Sequence, residues 1–201
     1  MSNSNYTFSD FWQYNKFKIF SLILVLFLIV LALTQCSWGE KADLGIIHAC
    51  ETDGANGELF TQSIRKDILN DETGEMDIVF TAIYIPPERS KQLETRALEQ
   101  LQIELSVGDN SLYIVDEETL YAYSPDGLFE NITDLADHYL IPDDMRYLDE
   151  NGNVIAISVD SNEYFASNGV FSDALYICTR AGDREDYINA YKVLNHILEN
   201  R

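Results

Sequence analysis

From Ile19 to Leu33 the chain reads IFSLILVLFLIVLAL, fifteen residues without a charge, and no later stretch has that character. Crossing a bilayer takes about 20 residues for ~30 Å of hydrocarbon. Phe17 before the run and Thr34, Gln35, Cys36, Ser37 and Trp38 after it fill out that length. Trp12, Tyr14 and Trp38 supply aromatic rings for both interfaces. A cleaved signal peptide would carry a hydrophobic region of about 7–15 residues and a small-x-small cleavage site. The nearest such site is Ala32-Leu33-Thr34, and Gln35 is bulkier than lipoprotein processing at Cys36 accepts. An uncleaved single-pass transmembrane helix over residues 19–38 is therefore the preferred reading. Lys16 and Lys18 precede it and only Lys41 closely follows. By the positive-inside bias, the stub 1–18 faces the cytoplasm and residues 42–201 form an extracytoplasmic domain.

Charge narrows the partners of that domain. Of 13 Lys and Arg residues three precede Ala42, and of 34 Asp and Glu residues two do. Residues 42–201 thus hold ten cations against 32 anions, a formal charge of −22. Such a field repels nucleic acid and anionic lipid surfaces. The expected partners are the membrane through residues 19–38 and another membrane or envelope protein. A solvated acidic surface explains most of the excess charge. Of the three cysteines, Cys36 lies at the membrane face. Cys50 and Cys178 remain either a bridged pair or two buried thiols.

Strand and helix patterns alternate through the domain. Residues 44–49 (LGIIHA), 76–85 (MDIVFTAIYI) and 111–115 (SLYIV) read as buried strands. The second is expected at the centre of the sheet with Phe80 in the core, and it stops at Pro86-Pro87. Between them, 57–69 places Phe60, Ile64 and Ile68 on one helical face. Residues 88–107 do the same with Leu93, Ala97, Leu101 and Leu105. Asp116 reads as an N-cap for a short helix reaching Tyr123. Residues 146–148 and 154–159 flank Asp149-Glu150-Asn151-Gly152, whose Asn-Gly favours a hairpin turn with φ positive at both central residues. Residues 174–179 form a last strand. A helix from 183 or 184 to 198 then faces Ile188, Tyr191, Leu194 and Leu198 inward. Strands joined by amphipathic helices predict one three-layer α/β domain with a mostly parallel sheet.

The segment ALEQLQIELSVGDNSLYIVDEETLYAYSPDGLFENITDL, residues 97–135, resembles the first lobe of ABC-transporter solute-binding proteins, of the type 2 periplasmic-binding-protein-like kind. Ser106-Val107-Gly108-Asp109 ends a helix, a strand and a short helix follow, and Gly127-Leu128 and Ile132-Thr133-Asp134-Leu135 take the places of the family's later turns. The likeness extends over about 39–140, and FWQYNKFKIF ahead of a span resembles single-span membrane proteins of Gram-positive bacteria. It implies a single lobe, because too few residues follow Leu140 for a second. No family ligand residue carries over, since that ligand lies between two lobes.

Sheet geometry nominates a site. In a parallel sheet of order 2-1-3, ligands bind at the carboxyl ends of the first and third strands. Those loops carry Glu51, Thr52, Asp53, Gly54 and Asn56, then Asp116, Glu117 and Glu118. Their carboxylates suit a cation or an amine, although acids at helix starts need no ligand. His48, in an apolar strand, reads as a core histidine. His138 and His196 have no partner at metal-ligand spacing. There is no nucleophile elbow, no phosphate-cradling glycine loop with Lys and no His-Glu-x-x-His, so neither catalysis, a cofactor nor a metal is called for. Two functions fit: a membrane-tethered interaction or accessory domain, or a ligand-binding or sensing module.

Overall fold

The computed structural model describes residues 42–51, 55–86, 91–107, 109–182 and 187–200, and helical residues 12, 15, 17, 18 and 20–27. The chain divides into Met1–Lys41 and Ala42–Arg201. In the first unit, residues 20–27 are helical. Phe20, Leu22, Ile23, Leu24, Val25, Leu26 and Phe27 are each at least half exposed. Among the described residues no helix is long and apolar enough to cross a membrane. Most of the span expected over 19–38 lies outside the described residues.

The second unit is built on a six-stranded sheet: β1 (Leu44–Cys50), β2 (Ile78–Tyr84), β3 (Leu112–Val115), β4 (Arg146–Leu148), β5 (Val154–Ser158) and β6 (Tyr176–Thr179). The order is β2-β1-β3-β6-β5-β4, so the expected 2-1-3 core is present. β1 pairs parallel with β2 and with β3. The rest of the sheet is a correction to the mostly parallel expectation: β6 is inserted antiparallel between β3 and β5, and β4 pairs antiparallel with β5. Only β1, β2, β3 and β5 point the same way. Nor is β2 central. It forms one edge, and Phe80 is only half-buried.

Helices cover both faces. On one lie α1 (Gly57–Ser63, continued by a π-helical turn over Ile64–Leu69), α4 (Thr133–His138), α5 (Glu163–Ser167) and α6 (Ile188–Glu199); on the other lie α2 (Lys91–Val107) and α3 (Glu117–Tyr123). The pleat sorts β1 between two cores. Leu44, Ile46 and Cys50 join the first cluster, with Phe60, Ile64 and Phe165, while Ile47 and Ala49 join the second, with Leu101, Leu105 and Leu120. Successive residues of one strand thereby glue both helical layers to the sheet. Cys50 faces the first core and Cys178 the second, so the sheet itself keeps the two thiols apart and they form no disulfide with each other.

Local signals explain the elements. Asn56 Oδ1 accepts the Leu59 N–H (3.1 Å) to cap α1, and Asp116 Oδ1 accepts the Thr119 N–H (2.8 Å) to cap α3. Ala97, Leu101 and Leu105 of α2 face inward as expected, whereas the side chain of Leu93 lies outside those described. The last helix begins at Ile188, which is exposed. Its inward stripe is Ala190, Val193, Leu194, Ile197 and Leu198. The β4–β5 hairpin is present with a different turn. Gly152 alone is left-handed there (φ 82°), and the Asp149 carboxylate accepts the Asn151 and Asn153 N–H groups at 2.9 and 2.8 Å. Tyr147 pairs with Ala156 and Leu148 with Val154, leaving Ile155 as an unpaired bulge.

His48 is a core histidine. It is 1 % exposed and stacks near Phe80 at 6.0 Å. A carbonyl only accepts, so the 2.7 Å contact with Phe171 O places the proton on Nε2. Nδ1 then faces Cys50 Sγ at 3.8 Å. Burial lowers the His48 pKa from 6.5, outweighing the Phe171 bond that raises it. The unfolded chain therefore binds the proton first as pH falls. The stability contributed by the neutral ring is complete above pH 6.5 and is lost progressively below it. Denaturant titrations should show the wild type weakening from pH 6.5 downward more steeply than His48→Gln; parallel profiles would contradict a buried neutral ring.

Candidate functional site

A cleft of about 640 Å³ opens at the carboxyl ends of β3 and β5. Asp116, Glu117, Glu118 and Tyr121 come from the end of β3 and from α3, Tyr147 from β4, Asp160 from the end of β5, and Ala174 and Tyr176 from the approach to β6. The volume falls in the usual range for small-molecule sites.

Each wall has a local cause. The cap bond fixes Asp116 at the first turn of α3, so Glu117 and Glu118 follow on an exposed turn beside it. Tyr147 and Tyr176 lie against the second core, on the α3 side of the sheet, and meet edge to face at 5.7 Å and 71°. Tyr121 is largely exposed at the rim. The phenols report the field they sit in. Burial raises the Tyr147 pKa first, followed by the charge of Glu117 and the nearby Tyr176 and Tyr121 hydroxyls. Burial also leads for Tyr176, followed by Glu117 and Asp160. The phenols stay protonated and the cleft is negative. Aromatic faces beneath a carboxylate rim attract cations.

The residues nominated from the sequence fall in different places. Asp116 and Glu117, with Glu118, stand in the cleft. Glu51 is exposed and does not line it, and Asn56 is committed to capping α1. Thr52, Asp53 and Gly54 lie outside the described residues. β6 stands between β3 and β5, so this cleft is bordered by β5 and β6 rather than by β1. Asp160 and the tyrosines were not anticipated. Asp160 follows a predicted strand and the strand-end rule applies to it equally, whereas Tyr121, Tyr147 and Tyr176 meet only through nonlocal pairing.

As to metals, no group of three or more His, Cys, Asp or Glu residues is placed to hold an ion among the described residues. A second hollow, about 390 Å³, lies between α2 and α3, lined by Leu98, Leu101, Ala122 and Tyr123 with Glu99 and Glu118 at its edge. Comparison of the chain with family models, with curated proteins and with solved structures gives no match in any of the three.

Proposed function

We propose that this chain is a non-catalytic binding or sensing module, tethered to a membrane by residues 19–38 with its domain on the extracytoplasmic side. Its ligand is an organic cation taken up in the tyrosine-walled cleft. The carrying observation is the convergence of four carboxylates and three tyrosines from four separate segments on one concavity. A surface that was acidic only for solubility would have no reason to gather aromatic faces as well. Each cation–π contact adds about 0.5–2 kcal/mol, the upper end where water is displaced, and that contribution survives salt better than an exposed carboxylate does. The exposed apolar helix at residues 20–27 supports the tether.

Isothermal titration of the full chain with choline and cyclohexylamine tests the reading. Binding should be saturable and should persist at about 0.15 M salt, where the Debye length is about 8 Å. It should weaken at least about tenfold in Glu117→Gln/Asp160→Asn, or in Tyr176→Ala, and stay unchanged in Glu99→Gln. Heats that vanish in salt, or that ignore the cleft variants, would sink the proposal. A test of the tether is carbonate extraction of cells, after which the chain should stay in the membrane pellet.

A second reading, an accessory domain that docks a protein partner, is favoured by β2. This edge strand, IVFTAIY, carries no charge or proline and pairs with β1 in unbroken register. Such an edge is a template for strand addition.

A further inference from the structure

The cleft is organised around one side chain. Tyr176 opens β6 and pairs on one side with Val115, the last residue of β3, and on the other with Ser158, the last of β5. The antiparallel β6 thus starts where its two neighbours end. Glu117 follows Val115 by two residues and Asp160 follows Ser158 by two, so an acid flanks Tyr176 at each strand end, and all three line the cleft. Neighbouring strands lie about 4.8 Å apart, which separates β3 from β5 by roughly 10 Å across β6. The field at the ring agrees with this placement. After burial, the charges that raise the Tyr176 pKa are those of Glu117 and Asp160, one from either flank.

The rim therefore has two acidic banks, Glu117 with Glu118 on one side and Asp160 on the other. Asp116 is occupied by the cap of α3. Glu117, Glu118 and Asp160 are exposed and make no ion pair among the described residues, whose salt bridges use Asp71, Asp137 and Asp143. A monocation can meet one bank and leaves the other unanswered. A ligand with its own carboxylate, such as an α-amino acid, would be repelled by the same rim. A divalent metal ion needs oxygens converging on one point, and no such group is placed among the described residues. Two ammonium groups held apart by an apolar connector meet both banks. The connector then lies over the Tyr147 and Tyr176 rings, as the methylene stem of a lysine lies along apolar surface while its charge stays in water.

We infer that the ligand is a linear aliphatic diamine, with one ammonium at Glu117 and Glu118, the other at Asp160, and its methylene chain laid across Tyr176. This rests on the cation-binding reading of the cleft and adds to it a second charge and a spacing. Neither bank alone tells a diamine from a monoamine; the pair does.

Putrescine and butylamine share one carbon chain and differ by a single ammonium, so they make the test. Both are titrated calorimetrically into the full chain at neutral pH, where every amine is charged, and at about 0.15 M salt to screen the general field of the domain. Putrescine should bind at least about tenfold tighter than butylamine. Asp160→Asn should bring putrescine down to the level of butylamine, and Glu117→Gln/Glu118→Gln should do the same. Either change should alter butylamine only about twofold, because the other bank still accepts it. Glu99→Gln, outside the cleft, should leave the preference intact. All these positions are exposed, and denaturant melts check that the variants fold. If the two amines bind alike and Glu117→Gln/Asp160→Asn weakens both, the diamine assignment fails while the cation cleft stands. A preference for putrescine that survives Asp160→Asn would trace it to the net charge of the domain and overturn the assignment as well. Should neither amine bind, or no cleft variant matter, the diamine and the cation cleft fall together.

Discussion

Phe60→Ala should lower the unfolding free energy by about 3–5 kcal/mol, the range for emptying a large aromatic site in a core. Phe60 is fully buried and sits within ring contact of three others: Phe165 at 5.4 Å, Phe80 at 5.7 Å and Tyr164 at 6.0 Å. These rings come from α1, β2 and α5, so the side chain joins the first helical layer to the sheet edge. Removing it leaves Phe165 and Phe80 facing a void that neither can fill without leaving its own neighbours. Phe80→Ala is the informative comparison. Its ring is half-buried on an edge strand, so about 2 kcal/mol is expected. It also covers His48, so its loss should admit water and flatten the pH dependence of stability described above. Denaturant melts of both variants settle the ranking. Equal losses would show that the Phe80 ring is packed as tightly as that of Phe60, against its half-buried place on the edge strand.

That comparison also shows what pattern alone carries. Residues 76–85 announce a strand through β-branched and aromatic content, yet nothing within them says that β1 lies on one side and solvent on the other. Strand order is fixed by contacts among distant segments. For the same reason β6 was legible as a strand and illegible as an antiparallel insertion between β3 and β5. α5 escaped because five residues are too few to display a helical period. The bulge at Ile155 interrupts the alternation of β5, placing Ile155 and Ala156 on the same core. Asp116 and Glu117 were legible because a cap signal and a strand end coincide there. The tyrosines that make the cleft more than an acidic rim carry no local mark.

Gly45→Val should cost about 3 kcal/mol, the upper part of the overpacking range, and Gly45→Ala somewhat less. The cause is a close backbone approach. A Cβ at this position would lie 2.8 Å from Asn110 Cα and 3.2 Å from the Asp109 carbonyl oxygen. Rotating a side chain away relieves neither contact, because both are main chain. Gly45 O also accepts the Ser111 N–H at 3.0 Å, so the two segments are pinned at the point where a side chain would force them apart. The strain would be felt beyond the entry to β3. β1 and β3 pair parallel from Ile46 with Leu112 to His48 with Ile114, and β3 ends one residue before Asp116. A β3 displaced at its start carries the α3 cap, and with it Glu117, away from Tyr147 and Tyr176. Gly45→Ala should therefore weaken cyclohexylamine binding while still folding, although it lies at the far end of the strand from the cleft. Unchanged binding in a folded Gly45→Ala would show that the cap and the tyrosines hold the cleft independently of the β1–β3 spacing. Unchanged stability would show that the 109–110 backbone yields where its pairing with β1 says it cannot.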